Sequence, residues 1–340
     1  MKITIDDIAK QARVSKRTVS RVLNNSPHVN KSTRKTIENI IKRNGFKVNL
    51  LAKGLSGGTG LNLIGILAGV EALYGKSYFI KIINSIENHL KVKGFNALII
   101  NISEDLSDPG NKSKIEMLHG LFNNKVICGL VVLGPVINDR RIKYLKRNGI
   151  KGIVIGSKTA VRGFGYIDSD NRQGTRDMIE HLIGCGHRKI AFINGPSDLT
   201  SSIERKAAFC ETLEKNQLET RDEYIVNGDY TRGGGMSAAM QLLMLKVRPT
   251  VIVAANDDMA LGAYDGARSL GISIPEDISV CGFDDVDGAA LAQPPLTTVS
   301  HSYDKMGEKA ASCIVENRFN LKINLPVTLV TRGSVSKLNK

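Results

Sequence analysis

TIDDIAKQARVSKRTVSRVLN, residues 4–24, is the stretch that decides the fold at the start of this 340-residue chain. Its apolar residues recur at helical spacing in two short segments, and polar residues separate the segments. Thr4 can cap a first helix from about Ile5 to Ala12, because its hydroxyl can accept a hydrogen bond from a backbone N–H of the first turn. Ser15 can cap a second helix that runs to Leu23. The stretch therefore predicts a helix-turn-helix.

The outer face of the second helix is predicted to contact DNA. Val19 and Val22 would point inward, which leaves basic and hydroxyl side chains outside. Such a face can enter a major groove, where Arg donates two hydrogen bonds to one guanine, while short polar side chains contact phosphates and fix the register. For His28 a purely structural role is an open alternative. The predicted contacts are Thr4 and Ser15 at the helix starts, Lys16, Arg17 and Arg21 on bases, and Thr18, Ser20, Asn24 and His28 on phosphates.

Positive charge is concentrated at the start of the chain. Residues 1–60 contain thirteen Lys and Arg and three acids, whereas the whole chain has a formal net charge of +14. A surface that binds a phosphate backbone is expected to concentrate charge in this way, since a generally basic protein would spread it. The charge pattern supports nucleic acid as a partner.

A third helix and an apolar linker complete the N-terminal region. Asn30 can cap a helix over residues 31–44, which Gly45 would end in the left-handed conformation. Residues 48–60 combine an apolar segment with a glycine-rich joint. We therefore predict a DNA-binding domain at residues 1–47, followed by a hinge helix and linker.

From residue 61 onward, short apolar runs alternate with amphipathic stretches. This alternation predicts parallel, doubly wound sheets with helices on both faces, and two such sheets are needed to use the length available. The predicted strands are residues 63–67, 97–100, 130–133, 153–155, 190–193, 251–254 and 278–282, and the predicted helices are residues 79–93, 172–185, 202–215 and 259–270.

Polar residues follow several of these strands, at the sheet edge where open α/β folds bind ligands. Arg205, Asn256 and Asp284 offer a guanidinium, an amide and a carboxylate, and Tyr230 offers an aromatic wall. This chemistry suits a hydroxyl-rich ligand. Structural roles are expected for the adjacent acids: Asp257 as a helix N-cap and Asp285 as a turn residue.

Several functional classes have no support in the sequence. We find no phosphate-binding loop, no G-x-S-x-G motif and no paired Cys/His arrangement, so neither an enzyme nor a cofactor is expected. Five scattered cysteines indicate reduced thiols, and His181, Cys185 and His187 lack a fourth ligand for a metal. No run of eighteen apolar residues occurs and the start has no apolar signal core, which predicts a cytoplasmic protein without a membrane partner. A solute-binding protein for transport would need an export signal.

In its motifs the chain resembles the LacI/GalR family of bacterial transcription regulators over its whole length. The matching motifs are T-x-x-D-I-A-x-x-A-x-V-S-x-x-T-V-S-R-V-L-N at residues 4–24, Ala52-x-x-Leu55, IPEDISV-x-GFDD at residues 274–285 and PPLTTV at residues 294–299. The resemblance implies a helix-turn-helix domain with a hinge helix, joined to a periplasmic-binding-protein type I core of two subdomains. It also implies that Ala52 and Leu55 contact the minor groove, where Leu55 wedges into a base step. Arg13 stands where the family often has glycine.

The resemblance also assigns residues to an effector site. Arg205, Asn256 and Asp284 would hold the hydroxyls of the effector, and Tyr230 would stack on it. Tyr78 and Phe79 would line the pocket from the other subdomain. The preceding Lys76 departs from the usual family pattern and suggests a preference for a phosphate or a uronate.

The family organisation implies an allosteric repressor. A homodimer would bind a near-palindromic operator, and a small-molecule effector, a carbohydrate or alternatively a purine or another metabolite, would control it. The chain would cross between subdomains near residues 160, 290 and 322. The core at residues 61–340 would thus comprise an N-subdomain, about 61–160 plus 291–322, and a C-subdomain, about 161–290 plus 323–340.

Overall fold

The computed structural model describes residues 3–23, 26–46, 62–69 and 77–338. The chain forms two compact units, Met1–Leu61 and Asn62–Lys340. In the part of the chain that the structure describes, no helix is long and apolar enough to span a bilayer.

The N-terminal unit contains the helices α1 (Ile5–Ala12), α2 (Lys16–Leu23) and α3 (Lys31–Arg43). They bury a small apolar core in which Ile8 and Val19 are completely inaccessible to solvent. The predicted helix-turn-helix and third helix are confirmed.

Local hydrogen bonds begin and end these helices. At the start of α1, Thr4 Oγ1 accepts from Asp7 N at 3.3 Å, and the Asp7 carboxylate accepts from Thr4 N at 2.9 Å, which together form a capping box. Arg13 ends α1 with φ of 51°, the left-handed conformation that costs a non-glycine residue about 1 kcal/mol. Gly45 follows the last residue of α3 and its cap with φ of 58°, as predicted.

The first sheet of the core has six parallel strands among the described residues. Helices pack on both of its faces and bury two apolar clusters. The strand order is β11 (Lys322–Leu325), β5 (Phe164–Ser169), β4 (Gly152–Ile155), β3 (Ile127–Leu133), β1 (Leu63–Ala68) and β2 (Asn96–Asn101). Its helices are α4 (Ser77–Val92), α5 (Pro109–Asn123), α6 (Arg140–Arg147) and α12 (Tyr303–Val315).

The second sheet is also parallel and doubly wound, as predicted, and carries one large apolar core. Its strand order is β7 (Ile225–Asn227), β6 (Ile190–Asn194), β8 (Val251–Ala254) and β9 (Ser279–Cys281). Its helices are α7 (Asn171–Gly184), α8 (Thr200–Lys215), α9 (Arg232–Leu243), α10 (Asp257–Ser269) and α11 (Asp287–Leu291), and a 3-10 turn covers Asp222–Tyr224.

The chain passes between the two sheets later than the sequence suggested. β5 and β11 pair with each other in the first sheet, through Tyr166 opposite Lys322, so this sheet extends beyond the predicted limits at residues 160 and 322. A separate antiparallel pair, β10 (Thr298–His301) and β12 (Val327–Val330), lies beside the crossings. β5 and β11 are short strands that carry polar residues, so neither forms a clear apolar run in the sequence.

Candidate functional site

The exposed face of α2 presents the basic residues that the sequence assigned to base contacts. Lys16, Arg17 and Arg21 are exposed, whereas Thr18 and Ser20 are half-buried. Lys16 Nζ lies 2.9 Å from the Asp6 carboxylate, but both groups are well exposed, so this ion pair adds little stability. All three cations can therefore turn toward DNA at small cost.

Of the remaining residues predicted to contact DNA, two cap helices, one is exposed, and three lie outside the described residues. Ser15 caps α2, since its Oγ accepts from Thr18 N at 3.1 Å, and Thr4 caps α1. His28 is exposed, and its backbone N–H donates to Ser26 Oγ at 3.5 Å. Asn24, Ala52 and Leu55 lie outside the described residues, as does the predicted hinge helix.

A cleft of about 600 Å³ lies within the core unit, where the carboxyl ends of strands from both sheets face each other. The structure brings together in its lining every residue that the sequence assigned to the effector: Tyr78, Phe79, Arg205, Tyr230, Asn256 and Asp284.

Arg205, on α8, is a buried cation at the centre of the lining. Its Nε donates to Asn171 Oδ1 at 3.0 Å, and its Nη1 donates to the carbonyl of Ala255. The guanidinium carbon lies 3.6 Å from the centre of the Phe283 ring, which is close enough for a stacked cation–π contact. Nη1 also lies 3.5 Å from Asp284 Oδ1. Phe283 and these polar partners fix the orientation of the guanidinium.

Asp284 and His301 link the two sides of the cleft. His301 Nε2 lies 3.0 Å from Asp284 Oδ1, and His301 Nδ1 lies 2.6 Å from the hydroxyl of Ser169, at the end of β5. Burial and the nearby charge of Arg205 lower the pKa of His301 well below its usual value. The neutral ring can thus donate to Asp284 and accept from Ser169.

Tyr230 and Asn256 form another wall of the cleft. Tyr230 has φ of 66°, and its hydroxyl lies 3.1 Å from Ser201 Oγ and 3.0 Å from Ser202 Oγ. Asn256 Nδ2 donates to the carbonyl of Tyr230 at 3.3 Å, and its Oδ1 accepts from Met259 N at 3.0 Å. Asn256 is therefore the N-cap of α10.

The prediction that Asp257 is the N-cap was wrong. Asp257 is the first residue of α10 and is completely buried. Its carboxylate accepts from Thr298 Oγ1 at 2.5 Å and from Val286 N at 2.9 Å. Burial, with a smaller contribution from Asp284, raises the pKa of Asp257 to about 8. Asp285, for which a turn was predicted, lies between β9 and α11, with φ of 57° and an ion pair to Arg332 at 2.6 Å.

Tyr78 and Phe79 enter the cleft from α4. Their rings meet edge to face with centres 5.0 Å apart, and the Tyr78 ring lies 4.9 Å from that of His301. Burial and the neighbouring carboxylates of Asp168 and Asp284 raise the pKa of Tyr78 well above its usual value. The phenol therefore stays protonated and can serve as a hydrogen-bond donor.

The sequence did not single out Asp168, Asn171 or Arg141, although all three line the cleft. Asp168 and Asn171 flank the end of β5, a strand that the prediction omitted. The strand sequence FGYIDS mixes apolar and polar residues, so it offered no clear signal for Asp168.

Arg141 is the second guanidinium of the lining and is almost completely buried. Its Nη2 lies 2.5 Å from Asp139 Oδ2, and its Nη1 donates to the carbonyl of Ile102 at 2.8 Å. The charge of Arg141 is thus balanced by Asp139 beneath the surface of the cleft.

The cysteine thiols and histidines outside the cleft do not form a metal site among the described residues. Cys185 Sγ lies 3.8 Å from His181 Nε2, and His187 donates to or accepts from Thr250 Oγ1 at 2.9 Å. Within the described ranges, no group of three or more potential metal ligands is found.

Both units of the chain match known protein families. Residues 4–49 match the model for bacterial regulatory proteins of the lacI family, and residues 179–335 match the periplasmic binding protein-like domain. The HTH-type transcriptional repressor PurR of Proteus mirabilis is 31% identical over 341 residues, which cover 98% of this chain and 97% of that protein.

Solved structures agree with these matches. The Lac repressor dimer bound to operator and the anti-inducer ONPF superposes with a TM-score of 0.84 at 27% identity, over 99% of this chain and 100% of that chain. The transcriptional regulator CelR in complex with cellobiose gives a TM-score of 0.73 at 27% identity, over 98% and 99%. The helix-turn-helix, the two-sheet core and these full-length similarities show that the chain belongs to the LacI family of bacterial transcription regulators.

Proposed function

We propose that this protein is a transcriptional repressor that binds a specific, near-palindromic operator in the cytoplasm as a homodimer. One observation carries the proposal: α2 presents Lys16, Arg17 and Arg21 on its exposed face, next to a well-formed turn. That is the arrangement a recognition helix needs in a major groove. Dimeric binding is supported by the similarity to the Lac repressor dimer on its operator.

We infer that the cleft binds the small-molecule effector. Arg205, Asp284 and Asn256 are buried polar groups around an opening lined by Tyr78 and Tyr230, which suits a ligand rich in hydroxyl groups. The similarity to the CelR–cellobiose complex supports a carbohydrate. A purine is the alternative, because an aromatic wall with an acid and a guanidinium also suits a heterocycle.

The contacts across the cleft suggest how ligand binding is transmitted. His301, between the two sheets, touches both Ser169 on the first sheet and Asp284 on the second-sheet side. Lys158, after β4, is also hydrogen-bonded to Glu204 on α8. A ligand that engages Arg205 and Asp284 would compete with or reinforce these contacts, and thereby favour one relative orientation of the subdomains.

No step of this proposal requires catalysis, and we propose a role without an enzymatic activity. A solute-binding role would use the same core, but it gives no reason for a helix-turn-helix that exposes three cations. We also propose the division into a DNA-binding domain at residues 1–47, a hinge at 48–60 and an effector core at 61–340.

The test begins with selection of the operator from a random duplex pool by the purified full-length protein. Arg17→Ala is then compared with the wild type on the selected operator and on each of its single base-pair variants. We expect the discrimination at one base pair of each half-site to fall by about 1–3 kcal/mol, because a bidentate contact with a base is lost.

Arg43→Ala is the matched control, since Arg43 is an exposed arginine at the end of α3 in the same unit. It should weaken binding about equally for all sequences, if it weakens binding at all. Failure to enrich any sequence, or full discrimination by Arg17→Ala, would refute the proposed recognition helix. Sedimentation of the complex tests for two chains per operator.

A further inference from the structure

The lining of the cleft has a strong excess of negative charge. Among the described residues that line it, two are arginines and seven are acids: Glu104, Asp105, Asp168, Asp198, Asp229, Asp258 and Asp284. One of the arginines, Arg141, already pairs with Asp139 beneath the surface. Burial, and then the charge of Asp139, raise the pKa of Glu104. This environment opposes the binding of an anion.

Asp168 adds a specific feature at the deep end of the cleft. Its side chain is 2% exposed, and its Oδ1 accepts from Ser169 N at 2.8 Å. Its Oδ2 is buried without any hydrogen-bond partner among the described residues. A buried carboxylate oxygen without a donor is unfavourable, so a ligand that supplies a donor there gains binding energy.

The charged neighbours of Asp168 do not supply that donor. Lys158 is hydrogen-bonded to Glu204, and Arg205 donates to Asn171 and Ala255. Burial, followed by the charge of Glu204, raises the pKa of Asp168 to about 7, although Lys158 and Arg205 oppose the rise. A cation placed beside Asp168 would stabilise its ionised form.

We propose that the effector is a hydroxylated amine, such as an amino sugar, whose ammonium group binds to Asp168. This inference rests on the proposed role of the cleft as the effector site. It replaces the preference for a phosphate or uronate that Lys76, which lies outside the described residues, had suggested from sequence. In this proposal, Arg205, Asp284 and Asn256 contact hydroxyl groups of the ligand, and Asp168 adds recognition of charge.

Calorimetric titration of the full-length protein with matched sugars tests the inference. Two series are used, and each compound differs from its neutral parent at one substituent. The first series is galactose, galactosamine, N-acetylgalactosamine and galacturonate. The second is glucose with the same three derivatives, and glucose 6-phosphate is added to it. We expect at least one amine to bind about tenfold more tightly than its neutral parent, since a charge-assisted hydrogen bond is stronger than a neutral one. The N-acetyl derivative should lose this gain, and the acids and the phosphate should bind more weakly than the parent.

Asp168→Asn should reduce the ratio of amine to parent affinity to about one, because the near-isosteric amide lacks the charge. Asp222→Asn removes the same charge from an exposed position outside the cleft lining and should keep the ratio. If Asp168→Asn fails to fold, the four-member series on the wild type still decides the charge preference.

Tighter binding of an acid or phosphate than of its neutral parent would overturn the inference, as would an unchanged ratio in folded Asp168→Asn or the absence of binding by every amine. Operator binding is measured on the same samples. A protein that binds its operator and responds to a neutral or acidic sugar would refute the charge preference alone, whereas a protein without operator binding would refute the proposed function.

Discussion

Arg205 is the residue on which the cleft depends most. We expect Arg205→Ala to abolish the ligand response while operator binding persists, because the guanidinium lies in the core unit and its partners are Asp284, Asn171 and Phe283. Loss of one member of a buried ion pair should also lower the free energy of unfolding of the core by about 3 kcal/mol. Ligand titration, operator binding and thermal unfolding measure the three effects.

Arg205→Lys is the milder companion variant. It retains the positive charge near Asp284 but loses the planar stack on Phe283, so it should remain folded and bind ligand more weakly. If either variant, while folded, loses operator binding and ligand response together, Arg205 has a structural role that extends beyond the cleft.

Asp168 should make the stability of the core depend on pH. Its pKa is raised from 3.8 to about 7, chiefly by burial and then by Glu204, against the opposing charges of Lys158 and Arg205. The folded state therefore keeps a proton that the unfolded state releases, and stability falls as pH rises from about 4 to 7 and then levels off.

The contribution of this one group is on the order of 4 kcal/mol across that range. Denaturant unfolding at a series of pH values should show a shallower decline for Asp168→Asn than for the wild type, and the difference between the two curves isolates the group. Parallel curves for the two proteins would show that Asp168 is ionised throughout.

Residue types predicted the cleft better than they predicted local roles. The guanidinium, amide and carboxylate after successive strands were found together, because parallel strands present their carboxyl ends at one edge. The N-cap of α10 was assigned to Asp257 instead of Asn256, since either side chain can cap a helix and only the backbone angles of Asn256 decide between them. Asp168 was missed because its strand has no clear apolar pattern.

At the scale of elements, α9 and α10 pack with their backbones in direct contact. A Cβ added at Gly235 would lie 2.3 Å from Met259 Cα, and one added at Gly262 would lie 2.0 Å from the carbonyl oxygen of Arg232. Glycine is thus required at both positions by the close approach of the helices. The run of glycines at residues 233–235 also explains why α9 was not predicted, since glycine disfavours helices and this helix depends on tertiary packing.

Gly235→Ala should therefore lower the free energy of unfolding by about 2 kcal/mol or more, since the helices must move apart to admit a methyl group. Gly120→Ala is the matched control. Gly120 lies inside α5 with no atom within 4 Å of an added Cβ, so the change should stabilise the protein by up to about 1 kcal/mol through better helix propensity. Equal effects of the two substitutions in urea unfolding would contradict the close packing of α9 on α10.

For the whole molecule, effector and operator binding must influence each other equally. Bound effector is expected to change the affinity of the protein for operator, commonly by a factor of about 5 to 150. Bound operator must then change the affinity of the protein for effector by the same factor. Titrating the effector with and without saturating operator, and the operator with and without saturating effector, measures both. Unequal factors would indicate that a further equilibrium, such as dimer dissociation, contributes.

The first sheet takes strands and helices from two distant parts of the sequence, because α12 and β11 follow all four strands of the second sheet in the chain. Gly307 on α12 packs so closely on α4 that an added Cβ would lie 2.1 Å from Ser85 Oγ. The two helices are therefore in close contact. During synthesis, the first sheet therefore cannot be completed until nearly the whole chain has been made. Until the ribosome has released residues 303–325, the apolar face that α12 covers is exposed to other nascent chains, and the protein is expected to need chaperone protection during this interval.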